Sequence, residues 1–176
     1  SDKTFKGLII KINNQEIVRN TVTIGVGSSF SDSSKAKLLK RDLIDKAVSE
    51  LQTAGHKISI LEFKGYQHYE VLKYWKNIDI WIDRFDSGFY GWNALEAASC
   101  SIPVLCQIDE ESKSYIPNCP FLPIEPVGES LKSKIEYLLN ESDRMEIGQM
   151  CRNFVIRNHD SRVVAKKCIE EYSKIE

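Results

Sequence analysis

The sequence predicts an α/β protein: a doubly wound parallel sheet of Rossmann-like, three-layer α/β/α build, with helices at the C-terminus. Short apolar runs of strand character alternate with stretches whose apolar residues recur at helical spacing, as a parallel sheet joined by crossover helices requires. Residues 78–107, reading IDIWIDRFDSGFYGWNALEAASCSIPVLCQ, hold an apolar strand, a loop with two glycines, a helix and a second strand. That succession within about 30 residues is one βαβ unit, which sets its loop at the carboxyl edge of the sheet. Beyond Pro126 the apolar spacing is helical.

Residues 1–20 read as an N-terminal strand or a linker remnant, with the apolar segment GLIIKI at 7–12. Residues 21–176 read as one domain. A strand at 21–26 (TVTIGV) ends at Gly27 and runs into the serine-rich loop 28–34. Leu38, Leu39, Leu43, Ile44, Ala47, Val48 and Leu51 then recur at helical spacing, and Gly55 supplies the stop. Residues 57–63 (KISILEF) form the next strand, 69–77 a short helix with Val71, Leu72, Tyr74 and Trp75, and 78–83 a third strand. A helix at 92–99 leads to a fourth strand at 103–106. A loop then reaches a short fifth strand at 121–124, set between Pro120, Pro123 and Pro126. Three helices close the chain: one carrying Leu131, Ile135, Leu138 and Leu139, one at 144–156 and one at 163–172.

Composition narrows the function. At 176 residues and 42% hydrophobic, the chain can bury one core. Its 24 Lys and Arg against 25 Asp and Glu give a net charge of −1, so no overall basic field draws nucleic acid. No apolar run reaches the ~20 residues of a membrane span, and the start lacks a signal-peptide pattern. The five cysteines are odd in number, widely spaced and free of any Cys-x-x-Cys pair. They read as reduced thiols of a cytoplasmic protein that is at most peripheral to the inner face of the cell membrane, with Cys100 and Cys106 as buried small hydrophobes. His56, His68 and His159 share no ligand spacing, so no metal site is expected.

The glycine loop carries the chemistry. Amides at the start of the following helix lack intrahelical partners and bear partial positive charge, so an anion such as phosphate is the natural guest. Gly88 and Gly91 permit close backbone approach, which lets the amides of Tyr90, Gly91 and Trp92 reach a diphosphate. Glu96 lies one turn into the helix, on the loop side if Leu95 faces the core, where it can accept hydrogen bonds from a ribose diol. The plainer alternative is a solvated carboxylate, although a lone charge in an Ala-Leu-Glu-Ala helix is seldom shielded without a partner.

The segment 79–107 resembles the donor-binding signature of family 4 retaining glycosyltransferases, in which a glycine-bearing loop and an ALEAMA helix lead into a GxPV strand. The residues carrying the resemblance are Gly88, Phe89, Tyr90 and Gly91, then Ala94 to Ser99, then Ser101, Ile102, Pro103 and Val104. The order of elements from about residue 20 to the Asn158, His159, Asp160 junction and beyond is similar too. The resemblance implies the C-terminal half of an enzyme with two Rossmann-like domains (GT-B). The substrate it implies is a UDP- or GDP-linked sugar, bound without a metal. A glycan or lipid-linked acceptor would be held by an N-terminal domain that this sequence does not cover.

By the same resemblance, Glu96 takes the ribose, while Lys40 or Arg41 neutralises the leaving diphosphate; a solvated helix face is the alternative for those two. Lys64 and Tyr66 belong to the loop beside the base, where Tyr66 either stacks on it or is simply a loop aromatic. One departure stands out. Gly88 occupies the position of the pattern's first glutamate, with Asp86 or Asp83 as candidate substitutes, although Asp86 before Ser87 is equally a favourable turn pair. A sugar-nucleotide epimerase of similar build, or a non-catalytic binding or assembly module of the same fold, are the alternatives.

Overall fold

The structure is a computed structural model that describes residues 9–12, 15–18, 21–27, 35–63, 68–83, 85, 88–125 and 128–175, those at 9–18, 35–40 and 68 by their backbone alone. The chain opens with β1 (Ile9–Ile12) and β2 (Gln15–Val18), an antiparallel pair in which Ile9 faces Val18 and Ile12 faces Gln15. The pair forms its own two-stranded sheet, so the GLIIKI segment is not an edge strand of the main one.

From β3 (Val22–Gly27) the strands and helices alternate: α1 (Lys35–Thr53), β4 (Ile58–Phe63), α2 (His68–Val71), a 3-10 turn at Trp75–Asn77, then β5 (Ile80–Ile82). Next come α3 (Trp92–Ser99), β6 (Val104–Cys106), α4 (Glu110–Tyr115), β7 (Leu122–Pro123), α5 (Gly128–Leu138), α6 (Glu141–His159) and α7 (Ser161–Tyr172). The five strands from β3 onward are all parallel and lie in the order β4-β3-β5-β6-β7. This is the doubly wound α/β sheet that the alternating pattern predicts.

Each face of the sheet carries its own core, because successive side chains on a strand point to opposite sides. Ile24, Val26, Ile58, Ile80, Ile82 and Leu105 meet Ile44, Ala47, Val48 and Leu51 of α1 and Leu131, Ile135 and Leu138 of α5. On the other face, Leu61, Phe63, Trp81, Val104 and Cys106 meet Ala94, Ala97 and Ala98 of α3 and Cys151 and Phe154 of α6. With both faces covered, β5 is apolar at every position instead of alternating with polar residues. Each fully buried Ile or Leu adds roughly 1.5–3 kcal/mol, so no single one decides the fold.

Local chemistry sets the helix ends. The Asn140 side chain accepts hydrogen bonds from the amides of Ser142 (2.9 Å) and Asp143 (3.2 Å) at the start of α6, and the Asp160 carboxylate accepts from Arg162 (2.9 Å) to start α7. In α6, Gly148 faces the Ser101 carbonyl so closely that an added Cβ would lie 2.0 Å from its oxygen, which lets α6 press its backbone onto the end of α3.

Three details differ from the sequence expectation. The helix expected at 69–77 divides into α2 and the 3-10 turn, and the loop expected after β6 contains the short helix α4. Cys100 is exposed, because it stands at the C-cap of α3 and points away from the core that Cys106 enters. Among the described residues, no helix is long and apolar enough to cross a membrane.

Candidate functional site

The sheet order places β4 to one side of β3 and β5 to the other, so the carboxyl ends of β3 and β5 flank the point where the winding reverses. Ligands of open α/β sheets lie in the crevice at such a point. Gly27 ends β3 there. Asn93, in the first turn of α3, covers it, with Nδ2 3.3 Å from where a Cβ on Gly27 would stand. Asp83 follows β5 and is 4% exposed, a buried carboxylate at the end of an apolar strand.

The glycine loop is held at several points. The Gly91 amide donates to Asp83 Oδ2 at 2.7 Å, and Trp81 Nε1 donates to Asp83 Oδ1 at 3.4 Å. The amide of Asp109 donates to the Gly88 carbonyl at 3.0 Å. Gly88 has φ +64°, and a Cβ there would sit 2.0 Å from Asp109 Oδ2. The positive φ favours glycine at this position, and any Cβ there would oblige the Asp109 side chain to turn aside. The same contact bears on the departure noted in the sequence: a glutamate at 88 would carry the strain of a positive φ and displace the Asp109 carboxylate from its place at the start of α4. Asp109 also accepts from the Ser112 amide at 2.7 Å to start α4, and hydrogen bonds from the Ser112 backbone and then its hydroxyl hold its carboxyl below the usual range.

Tyr90 turns inward. Its ring packs against Phe121 and Phe154, and its hydroxyl lies 2.8 Å from His159 Nε2 at the end of α6. Burial pushes the Tyr90 phenol well above its ordinary value, and burial followed by the charge of Lys167 lowers His159. Phe89 is half-buried, stacked at 4.3 Å on Tyr90. Among the described residues of the loop, the side chain of Tyr90 is therefore part of the core.

The expected phosphate-binding amides divide. That of Gly91 is engaged by Asp83. The first turn of α3 has no side-chain cap, so among the described residues the amides of Trp92 and Asn93 have neither an intrahelical nor a capping partner. Trp92 itself is 81% exposed. Glu96 lies one turn further on, half-buried, with Oε2 shielded from solvent. Leu95 packs toward the core, the orientation on which the reading of Glu96 depended.

The other candidates separate from this group. Arg41 is in α1, where Nη1 pairs with Glu62 at 2.9 Å and Nε with Asp45 at 3.0 Å, so its guanidinium is tied to two carboxylates. Lys40 belongs to α1 but its side chain, like Lys64, Tyr66 and Asp86, lies outside the described residues. Sequence reasoning missed the anchoring contacts of Asp83 and Asp109. The charged residue ending the apolar run IDIWID was a usable signal for Asp83, and an Asp ahead of Glu-Glu was a helix-start signal for Asp109.

The largest described cavity, about 480 Å³, opens at the amino edge of the sheet, lined by Trp75, Asp79, Ser101, Pro103 and Arg144 among others. Two of its charged side chains are engaged by backbone: Asp79 Oδ2 accepts from the Thr23 amide at 2.8 Å, and Arg144 Nη1 donates to the Leu138 and Leu139 carbonyls at 2.9 and 3.2 Å, whereas the buried Trp75 Nε1 has no hydrogen-bond partner among the described residues. Size alone does not make it the site, since ligands of this fold class sit at the opposite edge.

No family model and no curated protein matches the sequence. Solved structures do match in fold. The chain is similar to the C-terminal domain of LpcC, a group 1 family glycosyl transferase from Francisella tularensis, at TM-score 0.52 and 15% identity over 80% of this chain and 87% of that one. It is similar to a sucrose-phosphate synthase from Thermosynechococcus elongatus at TM-score 0.56 and 14% identity, over 90% of this chain and 46% of that one. It is similar to TarM at TM-score 0.56 and 13% identity, over 86% of this chain and 35% of that one. The chain thus spans less than half the length of the last two, and its fold is similar to that of the LpcC C-terminal domain.

Proposed function

We propose that this chain is the nucleotide-sugar-binding half of a glycosyltransferase. One observation carries the reading: the uncapped first turn of α3 opens at the carboxyl edge beside the reversal of the sheet, with Glu96 one turn behind it. A donor diphosphate accepts hydrogen bonds from the Trp92 and Asn93 amides, and Glu96 accepts from the two ribose hydroxyls. Departure of the nucleoside diphosphate develops negative charge, and fixed amides facing that charge stabilise the transition state. Asp83 sits behind the loop as a carboxylate, so added cations are needed; Lys40 and Lys64 are the candidates, since Arg41 is already paired. The LpcC domain lends the reading further support.

UDP and GDP are the bases to test, and retention of configuration follows the family resemblance. The acceptor, a glycan or a lipid-linked one, would bind on a second domain. Binding without catalysis is a second reading, favoured by Gly88, which stands where the family pattern has its first glutamate.

Titration calorimetry with UDP and GDP tests the proposal. One of them binds at micromolar to millimolar concentration, and Glu96→Ala weakens it by roughly tenfold or more, the value of a charged hydrogen bond or two. No heat with either ligand at millimolar concentration, or equal affinity in a folded Glu96→Ala variant, defeats the reading.

A further inference from the structure

We propose that the Trp92 indole is the platform on which the donor's sugar ring stacks, which makes it the side chain that selects for the sugar. The inference rests on the reading above, that the crevice holds a nucleotide sugar, and adds an assignment for the far end of that ligand.

The chain has three tryptophans, and their burial differs sharply: Trp81 is 0% exposed, Trp75 3% and Trp92 81%. The exposed one opens α3, at the mouth of the glycine loop. Trp92 and Glu96 are four residues apart on this helix and so share a face. Helical side chains lean toward the N-terminus, so the indole stands beyond the first-turn amides, whereas Glu96 lies roughly 6 Å behind, at 1.5 Å per residue.

A nucleotide sugar presents its parts in a fixed sequence of ribose, diphosphate and sugar. With ribose at Glu96 and diphosphate at the amides, the next group along meets Trp92. A pyranose offers one face of C–H bonds, whose positive hydrogens suit the negative face of an indole, while its hydroxyl rim stays in water. Asn93, the neighbour that could have taken this position, is turned instead onto Gly27.

Because Trp75 and Trp81 are buried, acrylamide quenching of tryptophan fluorescence reads Trp92 almost alone. The experiment titrates the full chain with UDP, GDP, UDP-glucose and GDP-mannose, with calorimetry on the same samples to establish saturation. A saturating nucleotide sugar should protect Trp92 severalfold, and its parent diphosphate should protect it less. Trp92→Leu, an exposed substitution that keeps the amide, should weaken the nucleotide sugar about tenfold more than the diphosphate, with partial rescue in Trp92→Phe. If calorimetry shows the nucleotide sugar bound while Trp92 stays as quenchable as in the free chain, or if Trp92→Leu weakens both ligands equally, the stacking assignment alone is wrong. If neither class of ligand binds, the donor-site reading falls and takes this inference with it.

Discussion

At the amino edge of the sheet, Asp79 holds the Thr23 amide and lies 4.0 Å from Arg144, and Arg144 in turn closes the carbonyl end of α5. At the carboxyl edge, α3 begins without a side-chain cap and Trp92 stands in solvent. At the first edge the Asp79 and Arg144 side chains are already engaged; at the second the first turn of α3 has no side chain to cap it. On the proposed reading, the difference teaches that charged side chains beside a cavity can serve packing alone, whereas a ligand needs donors that the fold has not already used.

Substitutions at the two edges should therefore separate stability from binding. The largest effect belongs to Gly148→Ala. The added methyl meets the Ser101 carbonyl, a backbone atom that cannot step aside, and overpacking of this kind costs about 3 kcal/mol. Thermal melting should show the loss, with the folded fraction binding nucleotide normally; an unchanged melting temperature would mean that α6 shifts freely. Asp79→Ala comes next, at roughly 1–3 kcal/mol, because it strands the Thr23 amide. Weakened nucleotide affinity in that variant would blur the distinction between the edges.

The smallest effect is a pH dependence at the carboxyl side. His159 is lowered from 6.5, so the folded state takes up its proton less readily than the unfolded chain. Its contribution to stability is full above 6.5 and is lost as pH falls through the folded value. Tyr90 is raised above 10, so its contribution is present below 10 and lost as pH rises through its folded value. Melting temperatures from pH 5 to 8 should decline on the acid side, less steeply in His159→Gln. Parallel acid limbs in both proteins would assign the decline to other groups.

The sheet was legible because both faces are buried, which turns β5 into an unbroken apolar run, and because the helices carry one apolar face each. The core-facing side of Leu95 was legible from the same apolar face. Other features depend on contacts that local pattern does not encode. The Gly91 amide meets Asp83 only after the chain has turned, so the loop offered as donors to phosphate loses one of them. α4 lacks apolar periodicity and starts from the Asp109 cap, which is why a loop was expected there. Arg41 reads as a free cation in α1 until β4 brings Glu62 beside it.

The Tyr90 hydroxyl touching His159 makes the glycine turn and the α6–α7 elbow a single mechanical linkage. A displacement at either end must stretch or drag that joint, so amide exchange beside Gly91 and beside Asp160 should quicken together when His159→Ala removes it.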